Sequence, residues 1–155
     1  MALKNIFSAT DVFLDLEARS KRSLLQTLAA EAASRLRRPE QEVSEALLAR
    51  ERLGSTALGR GVALPHARLL GDVPPTIIFA RLSRAIDFEA TDDAPVDLVF
   101  LLLWPETSSE GFLSALSEVC VSLRDPQTLR RLRMATAPED VLAAIGQKPY
   151  PPATA

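Results

Sequence analysis

"RERLGSTALGRGVALPHAR", residues 50–68, contains the chain's only histidine, His66, and decides how the middle of the molecule is read. Gly54, Gly59 and Gly61 precede it, along with a Ser55-Thr56 pair and the short apolar run "GVALPH". That run is partly β-branched and bounded by turn residues, so it predicts a strand ending near the histidine. Two further apolar segments follow, "PTIIFARLS" (75–83) and "APVDLVFLLLWP" (94–105), each between proline-bearing turns. The second is continuously apolar over 98–104, the pattern of a central strand covered on both faces.

Outward from these strands, the pattern turns helical. Residues 11–17, "DVFLDLE", alternate as a short strand. "SKRSLLQTLAAEAASRL" then places Leu24, Leu25, Leu28, Ala32 and Leu36 at helical spacing, with Ser20 or Ser23 as its cap. Pro39 suits the first position of the next helix, whose face carries Val43, Ala46, Leu47 and Arg50, and Gly54 suits its stop. Thr107 with Glu110 has capping-box spacing ahead of a stripe of Phe112, Leu113, Leu116, Val119, Cys120 and Leu123. Asp125-Pro126 opens a short helix, and Thr136 with Glu139 forms a second capping box for a helix stopping at Gly146. The expectation is one α/β domain over residues 1–146: a central mixed sheet of four or five strands with helices on both faces. Residues 147–155 read as a flexible C-terminal tail.

Composition narrows the function. The chain has 155 residues, enough for one domain with a continuous core. Its 18 basic and 20 acidic side chains nearly balance, which leaves no electrostatic footprint for nucleic acid. No apolar run approaches the roughly 20 residues of a membrane span, and the start of the chain has no signal-peptide core. With Cys120 alone there is no internal disulfide, and the expectation is a cytoplasmic protein without membrane insertion. One histidine and one cysteine make no metal set, and no Walker or dinucleotide motif is present, so neither metal nor cofactor is expected.

A histidine at a strand end is either structural or a nucleophile. Its ordinary pKa of about 6.5 leaves a lone pair free at neutral pH, so attack on an electrophile needs no separate base. A phosphoryl group suits the surroundings. Gly59 and Gly61 allow backbone N–H groups to approach phosphate oxygens, Ser55 and Thr56 offer hydroxyls, and Arg50, Arg60 and Arg68 offer cationic forks. Pro65 stiffens the backbone before the nucleophile.

The stretch 50–68 resembles the "REKLGSTGLGNGIALPHG"-like signature of the fructose, mannitol and nitrogen-regulatory enzyme IIA domains of the bacterial phosphotransferase system. "LDLEARSKRSLLQTLA", "DAPVDLVFLLLWPE" and "LRDPQTLRRLRMATAPEDVLAAI" resemble other parts of the same family, so the likeness covers about residues 5–146. The resemblance implies a phosphocarrier. His66 would accept phosphate through Nε2 from HPr or the related nitrogen-branch carrier, and Arg50, Ser55 and Thr56 match positions near the phosphohistidine. With no attached IIB or membrane segment in the sequence, the expectation within that family is a regulatory role in the nitrogen branch. The alternatives are a sugar-specific component passing phosphate to a IIB protein, or a binding module that no longer cycles phosphate. Two departures stand out. The family's second histidine, in a pattern like "HLxxLS", is replaced here by Phe112 in "FLSALS", and Arg60 stands where asparagine is commoner.

Overall fold

The computed structural model describes residues 3–146; the expected tail, 147–155, lies outside the described residues. After two single-turn 3-10 segments, the chain runs β1 (Val12–Leu16), α1 (Lys21–Leu36), α2 (Glu40–Arg52), β2 (Ala57–Gly59), β3 (Val62–Ala63), β4 (His66–Leu69), β5 (Thr76–Ile86) and β6 (Val96–Pro105). Three helices follow: α3 (Ser109–Leu123), α4 (Pro126–Met134) and α5 (Pro138–Gly146).

The expected mixed sheet is present, with six strands in place of four or five. β6 is its axis: β5 pairs with it antiparallel, and β3 and β4 pair with it parallel, one after the other along the same edge. β1 lies parallel outside β5, and β2 folds back antiparallel on β3. Continuous apolarity over 98–104 has the expected cause. Leu98, Phe100, Leu102 and Trp104 enter the core on the face covered by α3, α4 and α5. Val99, Leu101 and Leu103 alternate into the core beneath α1 and α2. Each such side chain, fully removed from water, contributes about 1.5–3 kcal/mol.

The strand expected over "GVALPH" is divided. Val62 lies opposite Leu98 and His66 opposite Leu102, so the register is unchanged from β3 to β4. The pairing lapses at Leu64-Pro65, where proline has no N–H to give to the ladder, although the Pro65 carbonyl accepts from the Leu102 amide at 3.0 Å. His66 therefore begins a strand instead of ending one.

Helix boundaries show smaller corrections. Ser20 caps α1 by accepting from the Ser23 amide. Pro39 is the residue before α2, not its first residue, and Leu53 caps that helix ahead of Gly54. At α3 the cap position is Ser108, and the Thr107–Glu110 box does not form. Before α5 the carboxylate that ties down Thr136 is Asp140, which accepts from the Thr136 and Ala137 amides at 3.0 and 3.1 Å; Glu139 does not fill that role.

Candidate functional site

The local geometry of β4 sets the direction of His66. Side chains two apart on a strand share a face, so Leu64, His66 and Arg68 project towards α3, while Ala67 and Leu69 pack beneath α1 and α2. β4 is also a sheet edge, and the end of α2 packs beside it. Arg50, in the last turn of α2, reaches past this edge to the imidazole. The result is an open cleft of about 740 Å³, lined among others by Arg50, Leu53, His66, Arg68, Thr107 and Phe112.

Within the cleft the two ring nitrogens of His66 differ. Nδ1 lies 2.8 Å from the Leu64 carbonyl oxygen, which can only accept. Nε2 lies 3.2 Å from Arg50 Nε, which can only donate. These partners assign the proton to Nδ1 and a lone pair to Nε2. Arg50 is held in turn by Nη1, which donates to the Gly54 carbonyl at 2.9 Å. Phe112, buried at the start of α3, stands 5.6 Å from the imidazole centroid at a tilt of 53°, and is backed by Trp104 at 6.3 Å. Arg68 lies over the same phenyl ring, 5.8 Å from its centroid, and donates from Nη1 to Ser109 Oγ at 2.9 Å.

Burial pushes the His66 pKa below its ordinary 6.5; the Arg50 guanidinium adds to this, against the opposing effects of the Leu64 carbonyl and Glu51. The imidazole is therefore neutral, and nucleophilic, over the whole neutral range. In Phe112→Ala, water reaches the ring, and NMR titration of His66 should give a pKa closer to 6.5 than in the parent. The same value in both proteins would mean that Phe112 is not the wall that desolvates it.

Four residues expected at the site lie elsewhere, together with Arg60. Ser55 Oγ donates to the Phe88 carbonyl at 2.9 Å. Thr56 Oγ1 donates to the Glu51 carboxylate, which also pairs with Lys21 Nζ at 2.8 Å. Both hydroxyls are thus engaged in fixing the loop between α2 and β2. Gly59 and Gly61 form the β2–β3 turn, outside the cleft. At Gly61 φ is +82°, and a Cβ there would meet Arg133 Nη2 at 2.5 Å and Asp97 Oδ1 at 2.9 Å. Arg60 shares the left-handed turn at φ 57°; its amide donates to Asp92 and its Nη1 to the Arg124 carbonyl. Glu51, next to Arg50 in the motif, carries no sequence signal of its own, yet it holds Thr56 and Lys21 and raises the His66 pKa. Thr107 and the exposed Leu53 and Glu106 likewise carry no sequence signal for the cleft, since only folding brings the segment before α3 against β4. Cys120 packs partly buried on the α3 side, and its burial raises the thiol pKa.

No group of three or more His, Cys, Asp or Glu among the described residues is placed to hold a metal, and no described helix is long and apolar enough to cross a membrane.

A lone imidazole is thus presented on an edge strand beside a guanidinium, over one mixed sheet with helices on both faces. The model of the family described as "Phosphoenolpyruvate-dependent sugar phosphotransferase system, EIIA 2" matches residues 5–148, and the chain belongs to that family. It is 43% identical to a nitrogen regulatory protein of Bradyrhizobium diazoefficiens, a match covering all of this chain and 99% of the relative. The nitrogen regulatory protein of Escherichia coli K12 is 39% identical over 84% of this chain and 80% of its own. In fold, the crystal structure of nitrogen regulatory protein IIA-Ntr from Neisseria meningitidis superposes with a TM-score of 0.89, at 33% identity, covering 92% of this chain and 98% of that one.

Proposed function

We propose that the protein is a cytoplasmic phosphocarrier in which His66 accepts a phosphoryl group from the phosphohistidine of an HPr-type carrier and serves nitrogen-branch regulation. The observation that carries this reading is the split between the ring nitrogens: Nδ1 is committed to the Leu64 carbonyl, and the Nε2 lone pair faces the open cleft beside Arg50. In the transfer, that lone pair forms a new N–P bond as the donor's N–P bond breaks, and the donor imidazole recovers the bonding electron pair. Nδ1 keeps its proton, so the cationic phospho-imidazole still donates to Leu64. Arg50 must leave Nε2 as phosphorus approaches, and its fork then meets the phosphoryl oxygens. The nitrogen regulatory relatives, matched along most or all of their length, support the regulatory branch over a sugar-transport role with a IIB partner.

Phe112 favours a second reading, a binding module that does not cycle phosphate, because the ring offers no donor to a phosphoryl group. Incubation with phosphorylated HPr-type carrier, followed by intact-mass analysis, decides between them. Gain of one phosphoryl group is the expected result; no gain supports the binding module. Arg50→Ala should accept phosphate more slowly by about a hundred-fold, as for loss of one preorganised charged donor, with its melting temperature little changed. An unchanged rate would remove Arg50 from the transfer step.

A further inference from the structure

A phosphoryl group on Nε2 brings three oxygens and up to two negative charges into the cleft. Arg50 approaches from α2, but the opposite wall is Phe112, which has no polar atom. The strand pleat supplies another cation on that side. His66 and Arg68 are two apart in β4 and flank the same phenyl ring. Arg68 forms no ion pair among the described residues. Its guanidinium instead donates to Ser109 Oγ, a neutral hydroxyl on the first residue of α3. Phosphate is the stronger partner for this fork, because it offers charge and several oxygens at matching spacing.

We propose that Arg68 is an exchange arm that reports the phosphorylation state of His66 to α3. With His66 bare, the arm donates to Ser109; with Nε2 phosphorylated, it donates to the phosphoryl oxygens and releases Ser109. The inference rests on His66 as the phosphoryl acceptor. The released end of α3 is lightly held, since its cap residue Ser108 makes no side-chain bond to the helix. Four residues on from Ser109, and so on the same helix face, is Leu113, 64% exposed. A change at Ser109 therefore reaches a surface where a regulatory partner can distinguish the two states of the carrier.

Potassium phosphoramidate tests this without any protein donor. The His66 lone pair forms the new N–P bond, the reagent's P–N bond breaks, and ammonia leaves. Failure of an HPr-type carrier to act as donor is thereby kept separate from failure of the arm. The parent, Arg68→Ala, Arg68→Lys and Ser109→Ala are loaded, then followed by intact mass and by amide NMR. In the parent, loading should shift the amides of residues 109–113; in Arg68→Ala the shift at Ser109 and Glu110 should vanish. The half-life of the phosphorylated form should be about ten-fold shorter in Arg68→Ala, the order expected for one lost charge-assisted hydrogen bond. Arg68→Lys should recover part of it, and Ser109→Ala should match or exceed the parent. Arg68→Ala with the parent's half-life and the parent's α3 shifts would overturn the proposal. If Arg68→Ala does not fold, Arg68→Lys and Ser109→Ala decide: parent-like α3 shifts in both would overturn it equally. Failure of phosphoramidate to modify His66 in the parent would overturn the phosphohistidine reading, and the arm with it.

Discussion

His66→Ala should take up no phosphoryl group from a phosphorylated HPr-type carrier, while its circular dichroism and melting behaviour should remain close to the parent's. The expectation of complete loss follows from the chain's having a single imidazole. No other side chain in the cleft combines a neutral lone pair with a position beside Arg50: Arg68 has no lone pair to give, Thr107 would need a base, and Glu106 is an acceptor of low nucleophilicity. The fold should survive because His66 is only half-buried, and the β4–β6 ladder uses its backbone, not its ring. In the parent, the modification should be lost in acid and kept in base, as a phosphoramidate is. Acceptance should also stay level as pH falls through 6.5 and decline only below it, because the folded imidazole protonates below its ordinary value. The same shift has a stability consequence with the opposite partner. As pH falls through 6.5 the unfolded chain binds a proton first, so this group's contribution to stability is present above 6.5 and is lost between 6.5 and the lower folded pKa. An acid-labile modification of equal stoichiometry in His66→Ala would remove His66 from its proposed role.

Trp104→Ala should be the most destabilising substitution near the site. Trp104 is 2% exposed, in the centre of the α3-side core and behind Phe112. Loss of a buried tryptophan costs about 3–5 kcal/mol through lost transfer energy and the cavity left behind. In a domain of this size, that lowers the melting temperature by on the order of 10 °C. There is a local consequence as well. A Cβ on Gly111 would meet Trp104 Nε1 at 3.2 Å, so the indole is seated directly against the first turn of α3. Removing it takes away the backing of Phe112, and the His66 pKa should rise towards 6.5 as water enters. Trp104→Phe, which keeps most of the volume, should lose much less stability. A calorimetric loss below about 1 kcal/mol for Trp104→Ala would contradict close packing at this wall.

The sequence makes some of this legible and hides the rest. The long strands are legible because burial on both faces leaves an unbroken apolar run, as over 98–104. The helices of the α1–α2 layer are legible because one face repeats at helical spacing. β3 is legible as the first part of the strand expected over 61–66, but β2 and the separate strand that begins at His66 are not, since segments of two to four residues have too little period to detect. β3 and β4 exist through hydrogen bonds to β6, more than thirty residues away, and β2 through its pairing with β3. The site divides in the same way. A lone histidine inside a long ordered motif points to itself, and Phe112 is placed beside it by resemblance. Hydroxyl partners are invisible, because a serine can donate to any nearby carbonyl. Ser55 finds Phe88, and Thr56 finds a carboxylate one turn back in α2, so neither is left to face the cleft. Helix ends are legible only to within a residue: α3 starts after Ser108 with no side-chain cap, and the carboxylate holding Thr136 is Asp140, next to Glu139.

The proposed acceptor, the Nε2 lone pair of His66 set free by the Nδ1–H bond to the Leu64 carbonyl, is tested most directly by NMR of protein labelled with nitrogen-15 in the histidine ring, before and after phosphorylation by an HPr-type carrier. The predicted result is a proton on Nδ1 in both states and a phosphorus coupling that appears on Nε2. Phosphorus on Nδ1, or a phosphorylated protein in which neither ring nitrogen is coupled to phosphorus, would contradict it.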